Sequence, residues 1–128
     1  EYYHPQRTMG TLMCHYRHQA HADPLWYPGL QDITAFVDFT TIAEAATDAG
    51  MGMLGYSSQA QYLVGCGIDA LLAAADPGDT RRYLTLSNEA KRLMLPGDMG
   101  ERFKVIGFSR GLGQDVLGFT ARDLRSRL

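Results

Sequence analysis

Residues 40–57, "TTIAEAATDAGMGMLGYS", constrain the fold more than any other stretch. Ile42, Ala45, Ala46 and Ala49 recur at helical spacing, and Thr41 with Glu44 has the form of a capping box. Gly50 suits the left-handed conformation that ends a helix. "MGMLGYS" is short, apolar and bounded by turn formers, so it reads as a strand. A helix is thus expected to run through one glycine into a strand. The same letters, Gly50, Gly52 and Gly55, spell the Gly-x-Gly-x-x-Gly of a nucleotide-binding loop. That loop needs a strand before it and a helix after it, so that glycine backbone and helix N-terminus meet a pyrophosphate. Here the order is reversed, and the motif reads as a turn into a strand.

The remaining elements follow the same logic. Ser58 and Gln61 form a second capping box, ahead of a stripe of Tyr62, Leu63 and Cys66. Gly65 and Gly67 interrupt that stripe, and Ile68, Leu71 and Leu72 resume it. "DPGD" at 76–79 is a turn. Tyr83, Leu84, Ala90, Leu93 and Met94 predict another helix, broken near Thr85–Asn88 and ended by "PGDMG". "RFKVIGF" alternates and is the clearest strand. In the tail, Thr120 with Asp123 predicts a cap, and Phe119 with Leu124 a hydrophobic staple, for a short C-terminal helix. "GLG" at 111–113 follows a strand, but Val116 stands where a third glycine is required, so it reads as tail. Before residue 33 there is no clean period, and "HADPLWYPGLQD" reads as an ordered loop.

Composition bounds the partners. The 128 residues suffice for one domain, are 45% hydrophobic and 20% charged, and carry a net charge of −2. Nothing in that balance suggests disorder or a polyanion, so no nucleic acid is expected. No apolar run approaches a membrane span, and no membrane association is expected. Cys14 and Cys66 give no framework of bridges, which favours a reducing compartment. The first residue is Glu, with no signal peptide before it, so the chain is expected to be part of something longer.

All four histidines lie within the first 21 residues, and "CHYRHQAH" invites a metal site at Cys14, His15, His18 and His21. Geometry argues against it. On a helix, residues 15 and 21 point about 240° apart, and on a strand, steps of three alternate faces. Only a loop would converge them, so no metal is expected. Asp32 and Asp38 in "QDITAFVDFT" are the acidic candidates. A loop would bring them together to orient a nucleophilic nitrogen or bind a cation, whereas Asp38 is equally suited to cap the next helix.

"GTLMCHYRH", "PGLQDITAFVDFT" and "MGERFKVIGF" resemble the C-terminal third of the MidA-type S-adenosylmethionine-dependent methyltransferases. The matching positions are Gly10-Thr11-Leu12, Tyr16, His18, Pro28-Gly29, Asp32-Ile33-Thr34 and Val37-Asp38-Phe39. They continue through Gln59 or Gln61, Tyr62-Leu63, Gly67-Ile68, Met99-Gly100 and Phe103-Lys104. Phe36 stands where the family usually has His, and Tyr62 where it usually has Phe.

The resemblance implies an α/β fold, the C-terminal part of a class I, Rossmann-like sheet, within a single methyltransferase domain. Its last two strands would be antiparallel, with a helical insertion between them. Residues 1–40 would be loop-rich, 41–57 a helix and strand, 58–97 the insertion, and 101–128 the last strand and a C-terminal helix. "GMGMLG" would turn into the sixth strand of that sheet, and "RFKVIGF" would be the seventh. The cofactor would be S-adenosylmethionine, with its main binding loop upstream of residue 1 and no cofactor-binding residue in this chain. The implied reaction is methyl transfer to a protein side chain, arginine in the mitochondrial branch. An arginine nucleophile needs its guanidinium oriented and its charge balanced by carboxylates. Asp32 and Asp38 are therefore the catalytic candidates, and Tyr16, His18 and Thr34 the candidates lining the substrate pocket. The implied partners are the N-terminal part of the same protein and a protein substrate, with self-association when the former is absent. The implied location is the bacterial cytoplasm, or the mitochondrion in the eukaryotic branch. The competing reading is a non-catalytic protein-binding or complex-assembly module.

Overall fold

The computed structural model describes residues 5–76, 78–112 and 116–128. They form two compact units, Glu1–Phe39 and Thr40–Leu128. Among the described residues, no helix is long and apolar enough to cross a membrane.

Unit 1 is a three-stranded antiparallel sheet. Strand β1 (Met13–Tyr16) is central, flanked by β2 (Gln19–His21) and β3 (Asp32–Thr34). The aperiodic sequence did not announce these strands, because three or four residues are too few to display a period of two. The long connection from β2 to β3 is the loop expected from its prolines and glycine. It is held by the Gln31 amide donating to the Pro24 carbonyl at 2.7 Å and the Leu25 amide donating to Asp23 Oδ1 at 2.9 Å.

In unit 2, α1 (Phe39–Asp48) leads through Gly50, at φ 74°, into β4 (Gly52–Ser58). The helix begins two residues before Thr41, so the expected capping box does not form, and Asp38 occupies the position just ahead of the first turn. Next come α2 (Gln59–Gly65), α3 (Ile68–Ala73), α4 (Thr80–Met94) and β5 (Lys104–Ser109). Ser58 is the N-cap of α2 by position, but its hydroxyl donates to Glu101 Oε1 at 3.2 Å instead of accepting from the helix. Gly67, at φ 81°, separates α2 from α3. Helix α4 is continuous, contrary to the expected break. Asp79 caps it by accepting from the Arg82 amide, and the Thr85 hydroxyl turns inward to the Arg81 carbonyl at 3.0 Å, which leaves the helical ladder intact.

Strands β4 and β5 pair antiparallel across the intervening helices, as expected, with a bulge between Met53 and Gly55. Gly55 and Gly107 face each other in this ladder, and a Cβ on either would run into the Phe119 ring. Phe119 is buried and meets Tyr62 edge-on at 5.1 Å. The core of unit 2 is thus an aromatic pair laid on a glycine floor, where the missing Cβ atoms admit a ring flat against the backbone.

The tail departs from expectation. In place of a helix after Thr120 there are two 3₁₀ turns, Leu117–Phe119 and Arg125–Arg127. The Thr120 hydroxyl donates to the Leu117 carbonyl at 2.6 Å. Asp123 accepts from the amides of Tyr56 (3.3 Å) and Arg125 (3.0 Å), and the Leu124 amide donates to the Tyr56 carbonyl. Both backbone groups of Tyr56 are therefore satisfied by the tail, which covers the outer edge of β4. The "GLG" stretch runs into residues 113–115, which lie outside the described residues, as does Pro77 of the "DPGD" turn.

Candidate functional site

Every residue singled out for chemistry lies in unit 1. The pairing register sorts them by face. Cys14 stands opposite His21 and Ile33, His15 opposite Ala20 and Asp32, and Met13 opposite Thr34. Since side chains alternate along a strand, one face carries His15, Asp32 and Thr34, and the other carries Cys14, Tyr16, His21 and Ile33.

Asp32 opens β3 and is exposed. Directly opposite partners in an antiparallel pair have Cβ atoms about 5 Å apart, so His15 is its immediate neighbour across the ladder. Thr34 ends β3, and its hydroxyl donates to the Met13 carbonyl at 3.1 Å, tying the far end of the sheet. Asp38 is half-buried and stands at the start of α1. The chain between Thr34 and Asp38 has no regular secondary structure and is pinned by the Phe36 amide donating to the Thr11 hydroxyl at 3.0 Å. Asp32 and Asp38 are thus set along one stretch of chain, not on one element.

Tyr16 is on the opposite face from Asp32 and Thr34. It stacks on Tyr27 with ring centroids 4.6 Å apart, and Tyr27 stacks on Trp26 at 5.2 Å. Trp26 in turn meets the His21 ring edge-on at 5.0 Å. His18 lies in the two-residue turn between β1 and β2, with Arg17, and both have positive φ, 47° and 66°. The pocket expected from Tyr16, His18 and Thr34 is therefore split by the sheet: Tyr16 sits with an aromatic cluster, and Thr34 sits with Asp32.

Two features escaped the sequence reading. His15, considered only as a metal ligand, turns out to be the cross-strand partner of Asp32. The Tyr16–Tyr27–Trp26 ladder had no periodic signal, because it links a strand to a loop. Cys14 and His21 share one face and His15 takes the other, so "CHYRHQAH" does not converge, and no cluster of three metal-ligating side chains occurs among the described residues. At the "GMGMLG" motif the third glycine, Gly55, lies under Phe119, which fills the space a phosphate would need.

Comparison with known proteins places this arrangement. A family model described as "Putative S-adenosyl-L-methionine-dependent methyltransferase" matches residues 1–57, that is, unit 1 with α1 and most of β4. The mitochondrial protein arginine methyltransferase NDUFAF7 of Rattus norvegicus is 36% identical over 105 residues, 80% of this chain and 24% of the rat protein. The Danio rerio protein of the same name is 41% identical over 91 residues, covering 68% of this chain and 20% of the fish protein. The chain thus spans about a quarter of the length of these relatives. The crystal structure of a Burkholderia thailandensis protein bound to S-adenosyl-homocysteine superposes with a TM-score of 0.92 at 51% identity, over 99% of this chain and 33% of that one. With sequence and fold in agreement along nearly its whole length, the chain belongs to the MidA-type S-adenosyl-L-methionine-dependent methyltransferase family.

Proposed function

We propose that the chain is the C-terminal part of an S-adenosylmethionine-dependent methyltransferase that methylates arginine in a protein substrate. The observation that carries this reading is the superposition, at 51% identity, on a protein crystallised with S-adenosyl-homocysteine. The relatives named as protein arginine methyltransferases supply the acceptor. In this reading β4 and β5 are the sixth and seventh strands of a class I sheet, and α2 to α4 are the insertion between them.

The glycine motif of this chain does not fit the cofactor, because Phe119 covers Gly55. We therefore assign cofactor binding to the rest of the protein, and give this chain the handling of the methyl acceptor. Asp32, at the exposed start of β3, accepts hydrogen bonds from the incoming guanidinium and balances its charge. His15 beside it accepts the proton that the nucleophilic nitrogen gives up. Asp38 supplies the second carboxylate, Thr34 fixes the strand that presents Asp32, and His18 lines the approach from the β1–β2 turn, while Tyr16 belongs to the opposite face. The strongly exposed Leu25, Leu71, Leu112 and Leu117 are surfaces we assign to the remainder of the protein, and to self-association without it. The two free cysteines fit a reducing location such as the bacterial cytoplasm.

The test uses the whole protein that contains this chain, with methyl-labelled S-adenosylmethionine and arginine-containing peptides. Label should enter arginine, His15→Ala should lower kcat by about a hundredfold or more, the usual scale for losing a positioned acid–base group, and Asp32→Asn should lower it as well. Absence of label from every acceptor would instead favour a non-catalytic assembly module. Unchanged kcat in both Asp32→Asn and Asp38→Asn would remove the carboxylates from the mechanism.

A further inference from the structure

Among the described residues, the non-glycine positions with positive φ are Arg17 (47°), His18 (66°) and Tyr27 (52°). All three surround one feature. Arg17 and His18 form the turn that follows Tyr16, and Tyr27 stacks on Tyr16. A left-handed conformation costs an L-residue roughly 1–2 kcal/mol. For Tyr27 it is doubly unfavourable, since the residue is bulky and precedes Pro28, which biases its predecessor toward extended backbone. Backbone strain gathered in one place points to a functional constraint there.

What the strain builds is a ladder of three rings. Tyr27 is the middle rung, stacked between Tyr16 and Trp26, and Trp26 and Tyr27 remain 51% and 42% exposed, so the ladder reaches solvent with Trp26 at its end. The cluster already holds one guanidinium: Arg17 Cζ lies 5.3 Å from the centroid of Tyr16. Asp23, in the same loop, adds a carboxylate, and its carbonyl accepts from the Trp26 amide at 3.3 Å. Both ring nitrogens of His21, the ring that Trp26 meets, are buried without a hydrogen-bond partner, as is the Oε1 of Gln31, whose amide nitrogen is tied to the Pro24 carbonyl of the same loop. Buried polar atoms of this kind are rare enough to need an explanation. Trp26 lies against the His21 ring, so turning Trp26 aside uncovers it.

We propose that the Tyr16–Tyr27–Trp26 ladder is a seat for the guanidinium of an arginine side chain presented by the protein substrate. The chemistry is complementary on each count. Aromatic faces attract a flat cation. Gln31 Oε1 is an acceptor, as is any imidazole nitrogen that carries no proton, and a guanidinium offers only donors. Asp23 supplies the attracting charge. The seat is on the opposite face of the sheet from Asp32, so it holds an arginine of the substrate other than the one at the reacting carboxylate. It selects arginine-rich acceptor segments.

This inference rests on arginine-bearing substrates, yet its test needs no methyl transfer. The whole protein that contains this chain is used, and the Trp26 signal is taken as the difference between its fluorescence and that of Trp26→Phe. The protein is titrated with acetyl-Gly-Arg-Gly-amide, and with the same peptide carrying citrulline or lysine in place of arginine. Citrulline keeps the planar shape and loses the charge, whereas lysine keeps the charge and loses the plane. A saturable change is expected with arginine, about fivefold or more weaker with either substitute. Tyr27→Gly removes a ring at a position whose φ suits glycine, so the fold is retained, and affinity for the arginine peptide should fall by a similar factor. No saturable response, equal responses to arginine and citrulline, or unchanged binding by Tyr27→Gly would each overturn the seat. Methyl transfer to arginine without a seat would leave the proposed function standing and sink this inference. Arginine binding without methyl transfer would do the reverse.

Discussion

Unit 2 buries Phe119 against Tyr62 on a glycine floor, ties its tail to a strand edge and ends α1 and α2 at glycines. Unit 1 fully buries only Cys14 among its described residues, and spends strained backbone on presenting rings, imidazoles and a carboxylate. The difference separates two tasks. The larger unit satisfies its backbone groups and gains packing at almost every element. The smaller one accepts conformations that packing alone would not select, as is usual where strain serves a site.

The contrast is broken most sharply at Phe119. Its ring fits only because Gly55 and Gly107 have no side chains, and no neighbouring atom can move in to replace it. Phe119→Ala should cost about 3–5 kcal/mol, measured by urea unfolding, with the β4 and β5 amides losing protection from hydrogen exchange. A loss below about 1 kcal/mol would mean that the glycine floor is not the core of unit 2.

The counterpart in unit 1 is Cys14, at 0% exposure, with a free thiol. Cys14→Ser puts a hydroxyl at the buried centre of a sheet face, beside Ile33 and His21, and should cost about 1–3 kcal/mol. The Trp26 fluorescence midpoint in urea reads this change. If the midpoint does not move, unit 1 is held by its loop and not by its sheet.

These two sites also show what was legible in the sequence. Gly50 as a helix stop and the α2–α3 break at Gly67 were readable, because periodicity and punctuation survive over elements of six residues or more, whereas the distant pairing of β4 with β5 was expected from the family resemblance. The tail was not. Thr120, Asp123 and Leu124 carry the letters of a capped helix, but Asp123 and Leu124 satisfy both backbone groups of Tyr56 instead, a tertiary demand that no local pattern records. Unit 1 was least legible. The Arg17–His18 turn has none of the Asn-Gly or Asp-Gly chemistry that marks a two-residue hairpin, so the face alternation that separates Tyr16 from Thr34 could not be drawn.

Asp123 gives a smaller and pH-dependent effect. Burial pushes its carboxyl pKa up, but hydrogen bonds from the amides of Arg125 and Tyr56 and from the Arg125 guanidinium outweigh that and hold it below the ordinary carboxylate range. A depressed pKa in the folded state means stability that is present above the unfolded value, near 3.9, and lost as pH falls through the folded value. Asp123→Ala should therefore cost about 1 kcal/mol at neutral pH, and the gap between it and the parent should close below about pH 4. Parallel urea curves at pH 7 and pH 3 test this, and a gap that persists at the lower pH would assign the effect to packing, not charge.

The smallest expected change bears most directly on the contrast between the units. Arg17 and His18 hold the β1–β2 turn with positive φ at both central positions, a geometry that Asn-Gly adopts far more readily. Replacing them together, Arg17→Asn with His18→Gly, should relieve the strain and raise stability by about 1 kcal/mol. In unit 2 such a gain would come without loss. In unit 1 it should come with a weaker response of Trp26 to the arginine peptide, because the substitution removes the guanidinium over Tyr16 and loosens the turn that aims its ring. Urea unfolding and the peptide titration on the same sample decide the matter. A more stable protein that binds the peptide as before would show that the left-handed turn is incidental to the site, and would leave the aromatic ladder to be explained by Tyr27 alone.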